Sequence, residues 1–234
     1  MLFILLPLLF ISLSIYLFFN PKFSIYSRSH LNTNSKVIAL TFDDGPNIDT
    51  TLIVLKILKE NRIKATFFVV GKNVRSNPVI LEIILKDGHL IANHSDNHSY
   101  MMFGRSKNIL KDVENCSKSI KVVTGKQPHF YRPAFGLRSP WGANAVKKAG
   151  YFIVTWNNMT YDYWGLSPKK LKDVIIKKAR PGGIIVLHDG HEGFSKSGLT
   201  NMTDSLSEII KVLKSDGYSF VTLSDLFNTE GYKS

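Results

Sequence analysis

Cysteine is nearly absent from this chain: Cys116 is the only one in 234 residues. That excludes an internal disulfide framework and any zinc site built on several thiolates. Cys116 itself falls in a helical pattern, which suits a small core residue or an idle thiol. No glycine-rich loop of the G-x-G-x-x-G type follows the first strand pattern, which argues against a dinucleotide-binding unit. Acids are scarce beside bases, 18 Asp and Glu against 30 Lys and Arg, giving a formal charge of +12. Such a balance favours anionic surroundings: a membrane surface, an acidic polymer or nucleic acid. The bases are scattered along helix faces, as in Lys169, Lys170, Lys172, Lys177, Lys178 and Arg180. No aromatic-interleaved basic motif accompanies them, so no nucleic-acid partner is expected. Internal repeats and low-complexity segments are also missing.

One long apolar run is present, residues 2–19 (LFILLPLLFISLSIYLFF), without a charge. It just reaches the length of a spanning helix. It exceeds a usual signal-peptide core, and no small-x-small cleavage site follows. Residues 1–19 are therefore expected to be a transmembrane anchor or an uncleaved signal. Lys22, Arg28 and Lys36 all follow the run, and the positive-inside rule then favours a cytoplasmic domain. That conflicts with the extracytoplasmic placement that the functional reading below requires. Residues 20–35 are polar and aperiodic, as a linker would be, and 229–234 form a short tail.

From Val37 onward, strand and helix patterns alternate. Strands are expected at Val37–Phe42, Ala65–Val70, His89–Ala92, Phe130–Arg132, Tyr151–Trp156, Gly183–Leu187 and Tyr218–Leu223. The first helix is expected from about Thr50 to Glu60 with Leu52, Leu55, Ile57 and Leu58 inward. Asn77 is expected to cap the next, which Gly88 ends. Further helices are expected near 106–123, 144–149, 167–179 and 203–215, with a last turn from Ser224. Seven β-runs joined by helices imply parallel strands and right-handed crossovers. The fold class is thus α/β, a (β/α)7 barrel over about residues 36–228.

Function in such barrels gathers where strands end. The first strand runs into Asp43-Asp44 and is stopped by Gly45-Pro46. Those acids can be turn and N-cap residues for the next helix. They can also be a functional pair whose repulsion a cation, an arginine or a raised pKa relieves. Other strands deliver His94 to His98, Arg132, Asp162, and His188-Asp189 to the same rim. Singly, each has a plain explanation as a surface histidine, an ion-pair partner or a turn residue; their convergence on one face favours function. Two imidazoles and a carboxylate suit Zn²⁺ or a similar divalent ion with open positions for water and substrate. A neighbouring acid can serve as base and a histidine across the site as acid, the equipment for metal-assisted hydrolysis of an amide or ester.

The motifs T-F-D-D-G-P (41–46), H-S-D-N-H (94–98), R-P-A-F-G (132–136), T-Y-D (160–162) and V-L-H-D (186–189) occur in this order. In that order the chain resembles the NodB-like polysaccharide deacetylases, carbohydrate esterase family 4. The resemblance implies a distorted (β/α)7 barrel that removes N-acetyl groups from chitin-like or peptidoglycan-like polymers, hydrolysing a linear amide with release of acetate. It further implies Asp43 as catalytic base and Asp44, His94 and His98 as ligands of a divalent ion, Zn²⁺ or else Co²⁺ or another. Arg132 matches the arginine that orients the base, and Phe135 the residue whose backbone N–H helps hold the oxyanion. His188 matches the catalytic acid and Asp162 the acid that tunes it.

The chain departs from the family pattern in three places. Met159 stands at a usual acid, Tyr163 where Trp is usual with Trp164 one place late, and Val186 where leucine commonly lines the acetyl pocket. Phe103, Trp141 and Tyr161 are candidates for sugar-stacking walls, and His191 and Glu192 read as loop residues. The expected protein is a monomeric, membrane-anchored enzyme with a polysaccharide or oligosaccharide partner. Two rivals are a deacetylase or deformylase of a lipid-linked amino sugar and a catalytically silent carbohydrate-binding relative.

Overall fold

The computed structural model describes residues 26–100, 104–190 and 196–233. The apolar stretch 2–19, Phe103, His191 and Glu192 lie outside these. No helix among the described residues is long and apolar enough to cross a membrane.

The central strand β1, Val37–Asp43, is buried from Ile38 to its end. An apolar run covered on both faces is the mark of a strand inside a parallel sheet. Its alternate residues divide the core. Ile38, Leu40 and Phe42 face the outer apolar layer, while Ala39 joins the smaller cluster inside the sheet's curve with Phe68, Ala92, Phe130, Trp156, Ile184 and Val186. The same period of two puts Thr41 and Asp43 on the inner side with Ala39. Burying each large apolar side chain contributes about 1.5–3 kcal/mol.

β1 pairs in parallel with the whole of β8 (Gly183–His188), from Ile38 opposite Gly183 to Asp43 opposite His188. Its other edge is shared. Thr41–Asp43 pair with β2 (Thr66–Val69), and Val37–Ala39 with β9 (Ser219–Val221). Beyond β2 lie β3 (Leu90–Asn93), β5 (Phe130–Tyr131) and β6 (Phe152–Ile153), and beyond β8 lies β7 (Asn158–Met159). All these strands are parallel, so their C-terminal ends share one rim.

β6 and β7 stand at opposite ends of the strand order, so the expected ring is an open half-barrel. The fifth expected strand, 151–156, resolves into the two-residue strand β6 and an irregular segment. A separate strand, Asn158–Met159, forms where the sequence is polar and pairs with apolar β8. Tertiary pairing overrides local propensity there. Within the stretch read as linker, Arg28 bridges Val154 and His30 bridges Gly183, so residues 28–30 reach from the β6 end of the sheet to the first residue of β8.

Helices cover the outer face: α1 (Thr51–Glu60), α2 (Gly71–Ser76), α3 (Pro78–Lys86), α4 (Ser106–Thr124), α5 (Pro140–Lys148), α6 (Pro168–Lys178) and α7 (Lys196–Ser215), while the short α8 (Leu223–Phe227) packs Leu223 and Leu226 into the inner cluster. α1 buries Thr51, Val54, Leu55 and Leu58. That i, i+3, i+4, i+7 stripe leaves Leu52, expected inward, exposed. Asn77 makes no cap bond and instead donates to the carbonyls of Pro46 and Asn73. Gly125 ends α4 in the left-handed conformation that glycine adopts without strain. The tail residues Tyr232–Lys233 (β10) pair with Gln127–Pro128 (β4) in a small antiparallel sheet.

Candidate active site

Asp43 and His188 are direct cross-strand partners at the ends of β1 and β8. Asp43 Oδ1 accepts from Arg132 Nη1 at 2.6 Å. Arg132 is fully buried; it also donates to Thr41 Oγ1 at 2.9 Å and, through Nη2, to the Thr155 carbonyl at 3.1 Å. Its guanidinium lies 3.9 Å from the centre of the Phe68 ring. A planar donor group held between a carboxylate and an aromatic face is suited to fixing that carboxylate's orientation.

Asp44 leaves the strand with φ 74, so its side chain departs in a direction different from that of Asp43. Its carbonyl accepts from Asn73 Nδ2 at 2.7 Å. The turn role suggested for these two acids belongs instead to Asn47, whose Oδ1 accepts from the N–H groups of Asp49 and Thr50.

His94 and His98 come from the loop after β3 and face Asp44, with Nε2 atoms 3.4 and 3.1 Å from its Oδ1. His94 Nδ1 is bonded to the Arg132 carbonyl at 2.9 Å, which assigns the proton to Nδ1 and leaves Nε2 free as a ligand. The ligand atoms of Asp44, His94 and His98 all lie within 4.8 Å of one another. Both Asp44 oxygens are buried without a hydrogen-bond partner. An unsatisfied buried carboxylate faced by two imidazoles is costly alone and well matched to a cation. The three residues therefore fit a divalent metal ion.

The second pair lies on the β7–β8 side. Asp162 Oδ1 accepts from His188 Nδ1 at 2.9 Å and from the Thr160 hydroxyl at 2.8 Å. Its Oδ2 accepts from the His188 N–H at 2.7 Å. Burial disfavours the charged imidazole, but the Asp162 carboxylate, followed by Asp44 and Asp43, outweighs it and pushes His188 up to about 10. The His188 imidazole so held favours its protonated form at neutral pH.

Phe135 sits in a single 3-10 turn, 134–136, with φ 58, and its ring packs against His98 at 4.5 Å between centres. Tyr100 stacks on Phe135 at 4.3 Å and 9°. Across the site, Tyr163 meets His188 edge-on at 5.1 Å, and Trp164 stacks on Tyr161 at 5.0 Å. Tyr100 and Trp164 are 65% and 69% exposed. Trp141 is also exposed, its indole N–H donating to the Gly104 carbonyl. Val186 lies fully buried in the inner cluster with Met159 packed beside it. Cys116 is buried with its thiol directed at the Val69 carbonyl, and burial raises its pKa, as expected of an idle thiol.

Asp189, the last residue of V-L-H-D, lies beside the site and has no role in the expected machinery. Asp189 is fully buried; its N–H donates to the Asp43 carbonyl at 3.0 Å and its Oδ2 accepts from the Thr51 hydroxyl at 2.6 Å. Burial, with Asp44 and Asp43 adding, pushes it up to about 7 against the opposing Thr51 bond. A side chain at Gly45 would collide with this carboxylate, its Cβ falling 2.5 Å from Oδ2. The glycine is what lets Asp189 sit under the 43–45 turn.

Fold and site together define a hydrolase with a candidate metal centre. The family model described as polysaccharide deacetylase matches residues 30–154, and the chain belongs to that family, carbohydrate esterase family 4. It is 34% identical over 203 residues to a peptidoglycan-N-acetylglucosamine deacetylase of Bacillus cereus, covering 86% of this chain and 92% of the relative. It is 33% identical over 200 residues to the peptidoglycan-N-acetylmuramic acid deacetylase PdaA of Bacillus subtilis, covering 83% and 73%. Among solved structures, the Bc1960 peptidoglycan N-acetylglucosamine deacetylase superposes with TM-score 0.84 at 29% identity, covering 89% of this chain and 95% of that one.

Proposed function

We propose that this chain is a Zn²⁺-dependent N-deacetylase of the amino sugars of peptidoglycan. The observation that carries the reading is the Asp44 carboxylate. Both its oxygens are buried without donors and faced by His94 and His98, while its neighbour Asp43 is bonded to Arg132 and paired across the strands with His188. Asp44, His94 and His98 would hold the ion. When bound, it acidifies water and polarises the acetamide carbonyl. Asp43, oriented by Arg132, accepts the proton of the attacking water. The backbone N–H of Phe135 donates to the oxygen that gains charge. His188, protonated and held by Asp162, gives its proton to the departing amine. A silent carbohydrate-binding protein has no need of this acid–base pair.

The substrate class rests on the relatives' peptidoglycan chemistry and on the exposed rings of Tyr100 and Trp164, which follow strands on opposite sides of β1. Aromatic faces on both flanks suit a chain of sugar rings better than a single sugar on a lipid. With residues 2–19 as an anchor, the domain would face the wall from outside the membrane; protease shaving of intact cells tests that placement. The activity test is acetate release from N-acetylglucosamine oligomers, peptidoglycan fragments and lipid-linked amino sugars. Turnover should be best on the first two, stop with chelator and return with Zn²⁺. Preference for the lipid-linked sugar would overturn the polymer reading.

A further inference from the structure

We infer that Asp112, on α4 behind the ligand loop, is a positioning residue for the metal centre. Its carboxylate fixes the 94–98 loop so that His94 and His98 reach Asp44, and it thereby sets metal affinity rather than the chemical step. The inference rests on the metal site proposed above.

The loop is not relaxed. Ser95 and His98 adopt φ 71 and φ 49, left-handed conformations that side chains other than glycine disfavour. Such a conformation persists only where surrounding contacts over-determine it. Near its start, Asn93 Oδ1 accepts from the Ser95 N–H at 2.8 Å, and Ser95 Oγ accepts from the His98 N–H at 3.0 Å. Backbone bonds from Gly71 and Lys72 reach the Ser95 and Asp96 carbonyls. The two residues midway between the ligands, Asp96 and Asn97, need a further hold, and Asp112 supplies it. Its Oδ2 accepts from the Asp96 N–H at 3.0 Å and its Oδ1 from Asn97 Nδ2 at 3.3 Å. The Asp96 side chain is fastened separately by Arg75, with Nη1 and Nη2 at 2.6 and 3.2 Å.

The placement of Asp112 in its helix supports a dedicated role. The inward stripe of α4 is Ile109, Val113, Cys116 and Ile120, and Asp112 is buried among them. An acid on an apolar stripe is costly unless its oxygens are bonded, and both oxygens here point to the ligand loop. The same helix grips the strand end before the loop, because Asn93 Nδ2 donates to the Val113 carbonyl and Ser117 Oγ. Helix and loop form one unit, and Asp112 joins them midway between the two histidines.

The test measures Zn²⁺ affinity of the full chain by competition with a fluorescent chelator, together with the melting temperature of the metal-free protein and turnover at saturating Zn²⁺. Asp112→Ala should weaken Zn²⁺ binding roughly 10- to 100-fold, the usual cost of losing a group that orients metal ligands, with turnover at saturating metal nearly unchanged. Asp112→Asn, which can still accept from the Asp96 N–H, should lose less. Asn97→Ala, at an exposed side chain, should lose least. Unchanged affinity with a lowered melting temperature in Asp112→Ala would show a merely structural acid and overturn the inference. If that variant does not fold, unchanged affinity in both Asp112→Asn and Asn97→Ala overturns it instead. Failure of the wild-type chain to bind Zn²⁺ overturns it as well. Tight Zn²⁺ binding that depends on Asp112, without acetate release, would uphold it while the deacetylase reading fell.

Discussion

Two carboxylate–histidine sets face each other across this site, built from the same residue types and wired differently. Asp44 has two imidazoles before it and no hydrogen-bond donor on either oxygen. Asp162 has one imidazole, and both its oxygens are satisfied by His188 and Thr160. A carboxylate that is already fully bonded raises the basicity of its histidine and needs nothing more. One left bare in a buried pocket needs a cation. On the proposed reading, the wiring and not the residue type separates a metal ligand from a tuner of acidity.

That contrast can be broken at each member in turn. Asp44→Ala or His94→Ala should abolish Zn²⁺ binding and lower acetate release about 10³-fold or more, since the metal supplies several kcal/mol at about 1.4 kcal/mol per tenfold in rate. Isothermal titration and an acetate assay read both effects. Asp43→Asn or His188→Ala should keep the metal and lose about 10²–10⁴-fold in kcat, the usual worth of a positioned base or acid. Asp162→Asn should cost less at neutral pH but reshape the pH profile. His188 is competent as a donor while protonated, and that competence is lost as pH rises through its value of about 10. Removing the carboxylate that contributes most to the upward shift moves the alkaline limb of kcat to lower pH; an unmoved limb would separate Asp162 from the proton transfer. Smallest of all, Trp164→Ala should raise KM for an N-acetylglucosamine tetramer several-fold while leaving kcat alone, because stacking a ring on an aromatic face is worth only about 1 kcal/mol.

Much of this was legible in the sequence because the chemistry sits where strands end. The apolar run before Asp43-Asp44 places the pair at a rim; the H-S-D-N-H, R-P-A-F-G and T-Y-D segments each follow a strand of the same parallel sheet, and V-L-H-D closes another. Period-two alternation even sets Asp43 and His188 on one inner face. Less visible were the supports. The Asp189 carboxylate takes its bond from Thr51, 138 residues away, and spacing along the chain carries no trace of such a contact. Asp112 did leave a signal, as an acid on the apolar stripe of its helix, but its partners lie in a loop with no regular pattern. The openness of the barrel was equally hidden. It depends on the short pair Asn158-Met159, flanked by polar Asn157 and Thr160, joining β8 while only two residues of 151–156 form a strand.

The most direct test of the division of labour is a paired measurement of Zn²⁺ content and acetate release in Asp43→Asn and Asp44→Ala. Asp43→Asn should bind about one Zn²⁺ per chain while turnover falls at least about 10²-fold, and Asp44→Ala should lose the metal and the turnover together. Loss of metal in Asp43→Asn with retention in Asp44→Ala, or full turnover in Asp43→Asn, would contradict the roles assigned to the two adjacent carboxylates.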